Sequence, residues 1–191
     1  FRSTNSGFIN GGSRGIGLSQ STLLGGIGNS GTISASSHGI YIETSSTIDS
    51  IINYGSIYGG TAGLYNSGTI AGAITAIQNG SGGTIVGGIY NTGSIAGSNV
   101  AIKLSSSYLD GGINNSGTIV GGNHAISLNN STLFGGINNS GLIAANSGTA
   151  IGIANSNTVD ITNASSGTII GAINGTANVT NSGLFALQQM N

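Results

Sequence analysis

The sequence predicts an all-β chain folded as a parallel β-helix, or β-solenoid, and three observations carry that prediction. A five-residue tract recurs along the chain at a period near 24 residues. Apolar residues fall in short pieces with period two, as in Ile126-Ser127-Leu128, and no stretch sustains a helical period. Glycine supplies 37 of 191 residues, proline is absent and charged residues make up 4%. That composition disfavours long helices and lacks the charge or proline of a disordered chain.

The recurring tract reads Asn115-Ser116-Gly117-Thr118-Ile119. Its relatives begin at Asn5, Asn29, Asn53, Asn66, Asn91 and Asn139 and, less perfectly, at Asn163 and Asn181. Successive spacings are 24, 24, 13, 25, 24, 24, 24 and 18. Gly-Gly-Ile or a variant places isoleucines at 27, 51, 89, 113, 137 and 161, with one outlying spacing of 38. Apolar pairs such as Ile16/Leu18, Ile40/Ile42 and Ile102/Leu104 form a third marker. Leu23, Ile48, Ile85, Leu109, Leu133 and Val159 form a fourth. Four markers sharing one period indicate a repeat architecture.

Each element of a unit follows from these markers. Between Asn115 and Asn138, Gly-Gly and Asn-Asn mark bends between strand-like pieces, so a unit supplies three short strands. One unit cannot bury its apolar side. Stacked at about 4.8 Å, units place Ile33 on Ile9 and Ile119 on Ile95 as continuous internal ladders. The expected architecture is one domain over residues 1–191, with about eight coils of ~24 residues and Ser, Thr, Asn and Gly outside. Asn5, Asn29, Asn53, Asn66, Asn91, Asn115 and Asn139 are expected to form a structural corner ladder. Their amides would bond the backbone and the next coil, and the Gly two residues later tolerates left-handed dihedrals.

The step from Asn53 to Asn66 is too short for a three-sided coil. Segment 53–65 therefore reads as an irregular short coil, a loop, or one turn of a flatter solenoid with about 12 residues per turn. The echo of Asn115–Gly122 in Asn130–Gly136 supports the last of these. Residues 184–191 leave the repeat and read as a cap or junction.

The Asn-Ser-Gly-Thr-Ile tract, with its downstream Ala-Ile and Gly-Gly-Ile, resembles the passenger region of bacterial autotransporters, the type V secretion family. Filamentous-haemagglutinin-like adhesins share the style. The resemblance covers nearly the whole chain. It implies a right-handed β-helix, an extracellular or bacterial cell-surface location, and adhesion or self-association. Phe1 opens directly in repeat-like sequence, which reads as a mature, processed or excised piece.

The composition excludes several chemistries. Three basic residues and a net charge of −1 make a poor phosphate binder, so no nucleic-acid partner is expected. Without cysteine there is no disulfide framework or cysteine zinc site. No apolar run approaches the ~18 residues of a membrane span. Asp49, Asp110 and Asp160 each follow the fourth marker and so share one outward column. Asp110 and Asp160 would then stand about 10 Å apart, close to the separation of an inverting glycosidase pair. Phe134 lies between them, and a solvated outer face fits better than catalysis or cation binding. His38 and His124 occupy equivalent places several coils apart, too far to share a metal. Gly26-Ile27-Gly28-Asn29-Ser30-Gly31 matches the dinucleotide fingerprint only formally, because no helix follows it. No enzyme activity, cofactor or metal is expected.

Tyr41, Tyr54, Tyr58, Tyr65 and Tyr90 fall in or beside the irregular segment at outward-type positions, the last four as the candidate patch. They read either as an interaction patch for sugars or proteins or as cover for backbone exposed by the short coil. The expected function is a non-catalytic extracellular structural or adhesive module. Its partners would be further copies of itself or an extracellular glycan or protein. A subunit of a self-assembling filament and a polysaccharide-active enzyme are the alternatives.

Overall fold

A computed structural model describes residues 2–187. The chain winds into an all-β parallel solenoid of about seven coils, and every strand pairing is parallel, as at Ile27↔Ile51 and Ile102↔Ile126. No helix occurs among the described residues. The expected eighth coil is absent because the Asn53–Asn66 step lies within one coil.

A typical coil carries four strands where three were expected. The third coil, for example, has Ile51–Asn53, Ser56–Gly59, Ala62–Asn66 and Thr69–Gly72. We number these positions as faces one to four. The long strand Leu142–Ala154 runs without a break from face four into face one and joins them. The described residues therefore form three sheets, of 14, 6 and 8 strands.

Isoleucine and leucine alternate inward on every face. Face one stacks Ile27, Ile51, Ile77, Ile102, Ile126 and Ile151. Face three stacks Ile16, Ile40, Leu64, Ile89, Ile113, Ile137 and Ile161. Nearly all of these are fully buried in one continuous core. That core contributes about 25 cal/mol for each Å² of apolar area removed from water. It does so in a chain with few charges and no cysteine.

Two kinds of half-coil build the rod. One kind is closed by Asn-x-Gly. In the other, Leu or Ile takes the place of Asn. Coils one and two carry Asn at the turn from face one to face two (Asn5, Asn29) and Leu18 or Ile42 at the turn from face three to face four. Coils five and six are the reverse, with Leu104 and Leu128 at the first turn and Asn115 and Asn139 at the second. Coils three and four carry Asn at both, as Asn53 with Asn66 and Asn79 with Asn91. Segment 53–65 is thus neither a truncated coil nor a loop. It holds a full strand, Ser56–Gly59, and most of the strand Ala62–Asn66. The Gly-Gly-Ile marker changes face at the same place, which produces its single spacing of 38.

The half-coils closed by Leu or Ile have their own turn signature. Gln20, Ser45, Ser106, Asn130 and Asn155 all adopt left-handed φ, from 46° to 67°. Each is followed by serine: Ser21, Ser46, Ser107, Ser131 or Ser156. These serines stack between coils, with Ser107 N–H donating to Ser131 Oγ at 3.3 Å and Ser131 N–H to Ser156 Oγ at 3.1 Å. Serine Oγ at this turn accepts a backbone N–H of the preceding coil, whereas Asn Nδ2 at the other donates to backbone carbonyls.

Candidate interaction surface

The asparagine column is two ladders. Asn5, Asn29, Asn53 and Asn79 form the first. Each Nδ2 donates to the next Oδ1, at 2.8, 2.7 and 2.9 Å. Asn66, Asn91, Asn115, Asn139, Asn163 and Asn181 form the second, with steps of 2.7 to 2.8 Å. The same amides also close their own turns, as Asn115 Nδ2 does to Gly117 O at 3.2 Å, and reach the next coil at Leu142 O, 3.0 Å away. Asn53 to Asn91 is therefore not one column, since Asn53 and Asn66 close different turns of the same coil. Asn66 starts the second ladder against Ile42, so its buried Oδ1 has no donor.

The four tyrosines do not form one patch. Tyr58 projects from face two, in register with Ser34 and Val86. Tyr54 follows the Asn53 turn, where Gln78 Nε2 donates to its hydroxyl at 3.4 Å. Only Tyr65 and Tyr90 adjoin, as register partners on face three. Their third neighbour, Tyr41, pairs with Tyr65, and the two rings stack at 5.0 Å and 6°. Arg14 lies 3.7 Å over the other face of Tyr41, and His38 meets both rings edge-on at 5.0 and 5.4 Å. Sequence spacing names Tyr41 and His38 separately and does not bring them together with Arg14. The signal that finds them is alignment of Ile16, Ile40, Leu64 and Ile89, which brings Gly17, Tyr41, Tyr65 and Tyr90 into one outward column.

Beyond Tyr90 that column continues as Asn114, Asn138 and Thr162. A shallow groove of about 270 Å³ runs along it, bordered by Thr92, Ser116 and Ser140 of the adjoining turn. Asn138 Nδ2 donates to Asn114 Oδ1 at 3.1 Å, and both amides donate to carbonyls of the preceding Gly-Gly turn. No charged residue lines this groove.

The charged groups are dispersed. Asp49 follows Ile48 on face four, Asp110 follows Leu109 on face two, and Asp160 lies within the strand Val159–Asn163 on face three. They share no column, because the fourth marker changes face along the chain. Asp160 instead accepts from Asn178 Nδ2 at 2.8 Å. His38 and His124 also separate, onto faces three and one. Burial holds the His38 imidazole below its ordinary value, and the charge of Arg14 acts in the same direction. Arg14 itself meets Glu43 at 3.8 Å. Among the described residues no group of His, Asp or Glu could hold a metal.

Of the C-terminal segment 184–191, Leu184–Ala186 is a strand in register with Thr168–Ile170 and so continues the solenoid. Residues 188–191 lie outside the described part. Comparison of the chain with protein-family models, curated proteins and solved structures finds no match.

Proposed function

We propose that the chain is a non-catalytic module that presents long uncharged side faces for adhesion or self-association outside the cell. This is the manner of the bacterial passenger regions its repeat resembles, and right-handed winding and cell-surface display belong to the same reading. The observation that carries it is the distribution of charge. The three aspartates lie on three different faces, and Arg14 and Glu43 face one another. Glycoside hydrolysis uses two carboxylates flanking one bond, and among the described residues no face carries two of these aspartates. A net charge of −1 also removes the long-range repulsion that keeps copies of a protein apart. A self-assembling filament is the extreme form of the same behaviour.

The test is sedimentation velocity and negative-stain microscopy of the purified chain over a concentration series, with a reducing-sugar assay alongside. The expected outcome is association or fibres that change little with salt, and no sugar release. A strict monomer that liberates reducing ends from polysaccharide would overturn the proposal in favour of an enzyme on this scaffold.

A further inference from the structure

The groove on face three joins an aromatic column to a row of amides and hydroxyls. At one end is an aromatic column whose first ring, Tyr41, has both faces occupied, by Arg14 and by Tyr65. The column ends at Tyr90, and its next register position is the amide of Asn114. Asn138 and Thr162 follow at successive coils, and the hydroxyls of Thr92, Ser116 and Ser140 run beside them. Along the groove a tyrosine ring, then amides and hydroxyls, follow one another at the strand spacing of about 4.8 Å.

Its chemistry narrows the occupant. A lining without Lys, Arg, Asp or Glu gives nothing to neutralise a phosphate, sulfate or uronate, so an ionic ligand gains nothing here. An extended peptide binds a sheet by adding to a free edge. The strands under this groove are paired on both sides, as Ile113–Asn115 is with Ile89–Asn91 and Ile137–Asn139. Their backbone groups are consumed, and only side chains face outward. A neutral sugar matches what is left. The apolar C–H face of a pyranose packs on an aromatic ring. Its hydroxyls both donate and accept, as a primary amide does. The Asn114–Asn138 bond leaves Asn138 Oδ1 as an acceptor for such a hydroxyl, and fixes both amides in position.

We propose that this groove binds a neutral, extended oligosaccharide laid along the solenoid axis. One pyranose stacks at Tyr90, and the following units are held by Asn114, Asn138 and the flanking Thr and Ser hydroxyls. The proposal rests on the surface-presenting function above and names its ligand class.

The test uses the full chain labelled with 15N. It is titrated with cellotetraose, maltotetraose and tetra-N-acetylchitotetraose, and with a tetra-galacturonate as the charged counterpart. At least one neutral tetrasaccharide is expected to shift the side-chain amides of Asn114 and Asn138 in a saturable way, and the tetra-galacturonate is not. Tyr90→Ala should weaken that binding about tenfold. Tyr58→Ala, on face two, should leave it unchanged. Absence of saturable shifts with every neutral sugar up to about 10 mM, shifts that map to face two, or equal binding by Y90A would overturn the proposal. Mass spectrometry of the same samples separates the two levels of failure. Intact, unbound sugar rejects the groove alone, whereas cleaved sugar rejects the non-catalytic reading on which it rests.

Discussion

Asparagine is buried here at positions where a hydrocarbon would ordinarily sit, and the arrangement has a direction. Each ladder amide donates toward the C-terminal end and accepts from the N-terminal end, so an interior member serves two neighbours and a first member serves one. Asn115 accepts from Asn91 and donates to Asn139, Gly117 and Leu142. Asn66 donates to Asn91, Gly68 and Ser94, and its own Oδ1 has no donor. Stranding a buried polar group costs about 1–3 kcal/mol. Asn115→Ala strands Asn139 Oδ1 and removes the acceptor of Asn91. Asn66→Ala strands Asn91 Oδ1 but deletes an orphan already present. We expect urea unfolding to show Asn115→Ala less stable than Asn66→Ala by about 1–2 kcal/mol. Equal losses would mean that the amides contribute as turn closures and not as a ladder.

At the level of elements, strands are short because glycine pairs break them, and those pairs stack from coil to coil. Gly111 and Gly112 both have positive φ and lie between the equivalent pairs Gly87-Gly88 and Gly135-Gly136. A Cβ on Gly112 would stand 2.6 Å from Gly135 O and 2.7 Å from Gly136 O. Gly82 has similar φ, but nothing lies within reach of its Cβ. Gly82→Ala therefore isolates the dihedral cost, about 1 kcal/mol, while Gly112→Ala adds backbone displacement and should cost about 2–3 kcal/mol. Thermal unfolding of the two variants measures the difference. The same elements show what was legible in the sequence. Period, inward isoleucines and stacked asparagines follow from spacing alone, because each position must lie over its copy. The number of strands per coil and the division of the markers between faces did not follow. Asn-closed and Leu-closed half-coils occupy the same space, so a marker can change face without changing its local sequence. For the same reason the aspartates and histidines shared columns in the sequence that they do not share in the fold, and the meeting of Tyr41 with Arg14 and His38 was not legible.

For the whole molecule, the equivalence of half-coils makes segment 53–65 removable as a unit. Deleting it joins Ile52 to Asn66 and sets Asn66 over Asn29. The turn from Asn66 to Thr69 has the spacing of Asn29 to Thr32, and the turn from Asn79 to Thr84 has that of Ile42 to Thr47. Everything downstream rotates by half a coil, and isoleucine still meets isoleucine, with Ile70 over Ile33 and Ile77 over Ile40. Asn29 Nδ2 would donate to the orphan Oδ1 of Asn66. In exchange Asn79 would lose its donor Asn53 and face Ile42, so the count of unpaired buried acceptors is unchanged. Repeat proteins add stability unit by unit, so the loss should be limited to what the buried Ile57, Ala62 and Leu64 contribute. Deletion of residues 53–65 is therefore expected to leave β-type circular dichroism and a single cooperative urea transition at a somewhat lower midpoint. Deletion of 53–59 alone breaks the register, turns inward residues out, and should give an unfolded or aggregated chain. If both deletions fail alike, the two kinds of half-coil are not interchangeable, and the change of face between coils two and five is a fixed junction.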